Sequence, residues 1–175
     1  MKIKKIFKYS RLSMSLLLLG IILFLAGCSS DVESKTQDQS ITTIKTVLEH
    51  QFTGPDQEFV EGLDNTEKLE QYYEERYKAY FTDEMDNKFI SAHAYDYLLM
   101  AHNNGQQIKV DTVSVEREKS TEGSYSFKMA VLYGEDGSNQ KSAEVSGKVI
   151  FNKEGKITSI KYLNDGGLSE ELSNS

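Results

Sequence analysis

One cysteine, one proline and no tryptophan stand in a chain of 175 residues. A lone cysteine forms no intramolecular disulfide, so the fold has to stand on packing, and a redox pair is excluded. With Pro55 the only proline, few positions force a helix to stop. Three histidines fall at His50, His93 and His102, none at His-x-x-x-His spacing, and no set of carboxylates completes a ligand group. No metal or other cofactor is therefore expected. There is also no nucleophile elbow and no glycine loop to cradle a phosphate. The longest apolar run, Ser15 to Leu25, has about eleven residues against the ~20 that span a bilayer.

That run follows a basic stretch, Met1 to Arg11, and is followed by Leu25-Ala26-Gly27-Cys28. Basic, apolar and small-residue segments in this order read as an export signal. Leu-Ala-Gly-Cys directly after such a run resembles the lipobox of bacterial lipoproteins. The resemblance implies cleavage before Cys28 and a diacylglyceryl group on its sulfur, with palmitate-type acyl chains. Two chains bury enough methylenes, at ~0.8 kcal/mol each, for stable anchoring. Residues 1–27 are then signal peptide. The mature chain would sit lipid-anchored on the extracytoplasmic face of the cell membrane. In a two-membrane bacterium, Ser29 after the cysteine would direct it to the outer membrane.

Removing the leader changes the charge. Lys2, Lys4, Lys5, Lys8 and Arg11 leave with it and no acid does, so the net charge moves from −7 to −12. Such a surface repels phosphate backbones, and nucleic acid is not an expected partner.

The mature chain divides by pattern. Residues 28–40 carry one apolar side chain after the cysteine, Val32, and read as a lipidated flexible tether. From Ile41 to Asn164 the pattern is that of one α+β domain. Ile41, Ile44, Val47, Leu48 and Phe52 mark one face of a helix with Ser40 as candidate N-cap, ended by Gly54-Pro55. A short helix follows through Phe59, Val60 and Leu63. A second long helix starts near Asn65 with Leu69, Tyr72, Tyr73, Tyr77, Tyr80 and Phe81 in its stripe. A third spans about Asp83 to His102, closed by Asn103-Asn104-Gly105.

After Gly105 the period changes to two, and four strands are expected near 107–118, 124–133, 141–151 and 156–163. In the first, Ile108 and Val110 occupy one face and Val113 and Val115 the other, a phase change that a β-bulge near Asp111-Thr112 produces. Asn152-Lys153-Glu154-Gly155 predicts a tight hairpin. Residues 165–175 read as a polar C-terminal tail.

Helices packed on a curved four-stranded antiparallel sheet, with Gly54-Pro55-Asp56 and aromatic-rich helices before the bulged meander, resemble the nuclear transport factor 2-like superfamily. They are similar to small uncharacterised lipoproteins of Gram-positive bacteria within it. A cone-shaped domain is implied, with a pocket or groove between sheet and helices. No strand is evident between the early helices, so a cystatin-like arrangement stays open.

Candidate pocket-lining residues are Tyr73, Tyr77, His93, Tyr97, Phe127, Met129 and Phe151. Enzymes of that superfamily use an acid as base with a tyrosine as oxyanion donor, for which Asp96, His93 and Tyr77 are the available set. No catalytic motif accompanies them, and tyrosines at helical spacing serve as packing surface in most helices. The expected function is a non-enzymatic binding or assembly module of the cell envelope with an envelope protein as partner. The alternatives are a receptor for a small apolar ligand or an isomerase- or hydrolase-type enzyme.

Overall fold

The computed structural model describes residues 29–135 and 140–174. The chain divides into two units, Met1–Asp38 and Gln39–Ser175, and the contacts described below belong to the second. Cys28 and the leader lie outside the described residues.

The helices are α1 (Ser29–Phe52), α2 (Gln57–Leu63), α3 (Thr66–Tyr73), α4 (Asp83–Ala92), α5 (Asp96–Asn103) and α6 (Leu168–Ser173); a π-helical turn, Glu74–Lys78, extends α3. The strands β1 (Gln106–Arg117), β2 (Ser124–Glu135), β3 (Lys141–Phe151) and β4 (Ile157–Asn164) form one antiparallel sheet in the order β1-β2-β3-β4. The architecture is α+β, helices first and then the meander.

Several expectations are corrected. The segment read as a flexible tether is helical from Ser29, and Ser40 is inside α1 rather than its N-cap. No glycine or proline interrupts 29–53, so nothing in the backbone stops the helix before Gly54.

The second long helix widens into a π-turn after Tyr73. Tyr72 and Tyr77 are five residues apart, about 140° out of phase on a 3.6-residue turn, and the wider turn lets both bury. The third helix breaks at His93 to Tyr95. Both His93 and Ala94 donate their N–H to the Phe89 carbonyl, and Ala94 is buried where the chain turns toward α5. The expected polar tail contains α6, whose Leu168 and Leu172 are fully buried.

The bulge is where the sequence places it, between Val110 and Thr112, but its consequence differs from expectation. Asp111 is the extra residue. It restores the phase, so Ile108, Val110, Val113 and Val115 pair with Tyr133, Val131, Met129 and Phe127 on one face of the sheet. That inner face joins Ile44, Val47, Leu48 and Phe52 of α1, Leu98 of α5 and Phe89 of α4 in a single core. The hairpin forms as expected, with Asn152 Oδ1 accepting from the N–H of Glu154 and of Lys156 at 3.1 and 2.8 Å.

Two short contacts tie the helical layer to the sheet margins. Gly54 exchanges both backbone hydrogen bonds with Ile108 of β1, at 2.9 and 2.7 Å. Ile157 of β4 donates to Tyr80 O at 2.8 Å and accepts from Thr82 N at 3.1 Å.

Candidate functional site

Of the residues expected to line a pocket, Tyr73, Tyr77, Phe127, Met129 and Phe151 are buried, while His93 and Tyr97 are partly exposed. Tyr77 is 0 % exposed, and Phe127 and Met129 are 2 % exposed each. A wall of an open cavity keeps surface that a water can touch; these side chains keep almost none. Their neighbours are other rings. Tyr77 stacks on Tyr73 at 5.4 Å between centroids and meets Phe89 at 5.4 Å and the edge of His50 at 5.8 Å. Phe127 meets Tyr162 edge-on at 5.9 Å, and Phe151 meets Tyr125 at 5.6 Å. Tyr97 packs on Phe52 at 4.5 Å. Aromatic pairs in such tilted and edge-on geometries stabilise by ~0.5–1.5 kcal/mol beyond their area burial.

The acid–base set is not assembled. Asp96 is exposed in the first turn of α5, where its charge suits the helix N-terminus. His93 is half-buried between the rings of Phe89 and Tyr162, at 6.4 and 5.8 Å. Tyr77 is sealed in the core, and its hydroxyl makes no hydrogen bond among the described residues. Burial pushes that phenol well above its ordinary pKa, so it holds its proton. Tyr73 is also held protonated, by burial and by donation of its hydroxyl to Asp86. Burial raises Tyr97 to about 12.

A polar group that sequence reasoning missed is Gln51, 1 % exposed on the buried face of α1. Its Nε2 donates to the His93 carbonyl at 2.7 Å, and its Oε1 accepts from the Tyr162 hydroxyl. Gln51 therefore caps the carbonyl set free where α4 ends and ties α1 to β4. The available signal was a glutamine in line with Val47 and Leu48 on an apolar stripe. Arg76 is structural in the same sense. Its guanidinium lies 3.8 Å over the Tyr72 ring and reaches Asp56 at 3.1 Å and Glu58 at 2.8 Å, pinning the start of α2 to the π-turn.

No cluster of three or more His, Cys, Asp or Glu converges as metal ligands among the described residues. None of the described helices is long and apolar enough to cross a membrane.

Among the described residues the sheet margins keep stretches without backbone partners, on β4 after Ile157 and on β1 after Val110. On the outer side of β1, Ile108 is bonded to Gly54 and the Val110 N–H donates to Thr53 Oγ1 at 3.3 Å. From Asp111 to Glu116 that side forms no backbone hydrogen bond among the described residues. In the same stretch Val113 and Val115 stay partly exposed, although their cross-strand partners Met129 and Phe127 are buried. An unpaired strand edge with apolar side chains along it is a template for a further strand.

No family model, no curated protein and no solved structure matches the chain. The described residues thus form an α+β domain with a buried aromatic core and strand-edge stretches that have no backbone partner.

Proposed function

We propose that the mature chain is a lipid-anchored extracytoplasmic protein of the nuclear transport factor 2-like type, acting as a non-enzymatic binding or assembly module of the cell envelope. The leader and Leu25-Ala26-Gly27-Cys28 support the anchor. Two hydrogen bonds between Gly54 and Ile108 add a one-residue strand between the early helices, where the sequence pattern had none. That contact and the multi-helix layer favour the cone-shaped fold over a cystatin-like one.

One observation carries the functional reading: Tyr77, Phe127 and Met129 are sealed in the core, while the outer side of β1 from Asp111 to Glu116 forms no backbone hydrogen bond among the described residues. A receptor for a small apolar ligand needs exposed surface on Tyr77, Phe127 and Met129, which are sealed. An enzyme of the isomerase or hydrolase type needs Asp96 beside Tyr77, and one is exposed while the other is buried. Recognition by strand addition needs only the edge.

The anchor is tested by palmitate labelling and by mass measurement of the mature N-terminal peptide. The labelled, membrane-bound protein is expected to become unlabelled and soluble in Cys28→Ser. The binding role is tested by a photo-crosslinking side chain at Thr112 in the lipidated protein in its own envelope. Adducts at Thr112, absent when the same group stands at Glu67 on α3, are expected. Equal yields at both positions would remove the reading.

A further inference from the structure

The strand register puts two lysines face to face: Lys148 of β3 pairs with Lys161 of β4. Lys128 of β2 pairs with Ser146 and stands one diagonal from Lys148. All three are exposed on the outer face of the sheet, since their chain neighbours Phe127, Gly147 and Ile160 are buried in the core. Like charges directly opposite weaken a sheet. Glu118 meets Lys148 at 2.6 Å, but Lys128 and Lys161 have no ion pair among the described residues. Glu116 and Glu144 lie on the same face, nearer in register to Lys128 than to Lys161. Beside the lysine pair, Leu163, the extra residue where the β3–β4 register shifts, is 63 % exposed, and Ile150 is 38 % exposed.

Charge is divided between the two layers. Residues 39–105, the helical layer, hold 13 acids against 5 lysines and arginines, whereas residues 106–164, the sheet, hold 8 acids against 9. We propose that the β3–β4 half of the outer sheet face lies on the anionic lipid headgroups of the leaflet that holds the anchor, with the acidic helices turned away from it. The inference rests on the lipid anchor of the proposed function and names the surface that meets the membrane.

An anionic leaflet favours each lysine at its surface by a factor of about five, and salt screens that attraction within about 8 Å. The charges that meet the surface therefore decide the orientation, not the net charge of the chain. Lysine stems, Leu163 and Ile150 suit the border between headgroups and acyl chains. A polyanion in solution offers the lysines the same phosphates but no place for the two apolar side chains. The β1 edge is two strands from Lys148, roughly 10 Å, and stays open to an envelope partner.

The test uses the lipidated full-length protein in vesicles of phosphatidylcholine alone or of equal parts phosphatidylcholine and phosphatidylglycerol. A photo-crosslinking side chain at Ser146 is expected to form lipid adducts in the mixed vesicles at least about tenfold above the same group at Glu67 on α3. Most of that excess should vanish in the neutral vesicles. Lys128→Gln, Lys148→Gln and Lys161→Gln together should lower the Ser146 yield at least about tenfold, and arginine at the three positions should restore it. Circular dichroism of each variant separates loss of contact from loss of fold. Equal adducts at Ser146 and Glu67 overturn the orientation while leaving the anchor standing. A Ser146 yield that is the same in both vesicles overturns recognition by charge. A chain without lipid on Cys28 removes the anchor and the proposal with it. In the native envelope, adducts at Ser146 with a protein or a polymer in place of lipid overturn the proposal as well.

Discussion

Each edge of this sheet is held at one end by a short contact from the helical layer. On β4, the backbone of Ile157 is bonded to Tyr80 and Thr82, and Tyr162 points inward to Gln51. On β1, cover ends at Val110 and a bulge follows. One cross-strand row connects the two sides: Val115, Phe127, Gly147 and Tyr162 are neighbours in register. Along that row Phe127 and Gly147 on the middle strands are sealed, while Val115 on β1 and Tyr162 on β4 stay partly exposed, so the sheet is core at its middle and surface at its margins. A sheet can therefore anchor one end of an edge strand with a few carbonyls and amides from the helical layer. The rest of the edge is left to charged side chains and, on β1, a bulge, which either repel or select a partner strand.

The largest test of this gradient is truncation along the row. Phe127→Ala removes a ring that meets Tyr162 and lies over Gly147, and is expected to cost about 4 kcal/mol in urea unfolding. Val115→Ala, one strand away, should stay within about 0.5 kcal/mol for the single chain, as surface changes do. Similar losses at both would erase the distinction between middle and margin.

Gly147 comes next. A Cβ there would stand 2.3 Å from the Lys161 carbonyl oxygen and 2.6 Å from Phe127 Cζ. The backbone oxygen cannot swing aside, so β3 and β4 must separate or the ring must leave its place. Gly147→Ala should cost about 3 kcal/mol, at the upper end for overpacking, with the midpoint of thermal unfolding as readout. A neutral result would show that the β3–β4 contact is looser than the close approach of Gly147 to Lys161 and Phe127 requires.

How much of this could be read from the residues alone depends on the range of the interaction. The helix-then-strand order, the bulge at Asp111 and the Asn152–Gly155 hairpin follow from local periodicity and turn chemistry, and they are legible. The break at His93 is not, because what compensates it is Gln51, forty-two residues away. Likewise α6 has only Leu168 and Leu172 to mark it, too few for a periodic signal, and its burial comes from packing on α5. The sealed state of Tyr77 and Phe127 depends on how closely α1 and the sheet meet, which no spacing within one element reports. The unpaired edge was legible only as an option, since strand order decides which strand lies outside.

Gln51 tests the contact of α1 with β4 by its hydrogen bonds rather than its packing. Gln51→Leu keeps the volume but leaves the His93 carbonyl and the Tyr162 hydroxyl without their partner. An unpaired buried polar group costs about 1–3 kcal/mol, so a loss of about 2 kcal/mol is expected, with faster amide exchange at the α4–α5 break. Tyr162→Phe in the Gln51→Leu background should recover part of it, because one stranded group is then removed. If the double variant is no more stable than the single, the pair does not couple α1 to β4.

The smallest effect concerns the segment after β4. Burial works to raise the Asp165 pKa, but hydrogen bonds from the Ser169 hydroxyl, the Ser169 N–H and the Gly167 N–H outweigh it, and the carboxyl lies below its ordinary 3.8. A carboxyl lowered on folding contributes stability above its unfolded pKa, and that contribution is lost as the pH falls through the lower folded value. Docking of α6 should therefore be constant from pH 7 down to about 5 and weaken below the ordinary value of 3.8. Amide protection at Leu172 follows it, since Asn104 Nδ2 holds the Leu172 carbonyl at 2.8 Å. Asp165→Asn removes the titration and should flatten that dependence at α6. An unchanged profile in the variant would mean that Leu168 and Leu172 alone hold α6.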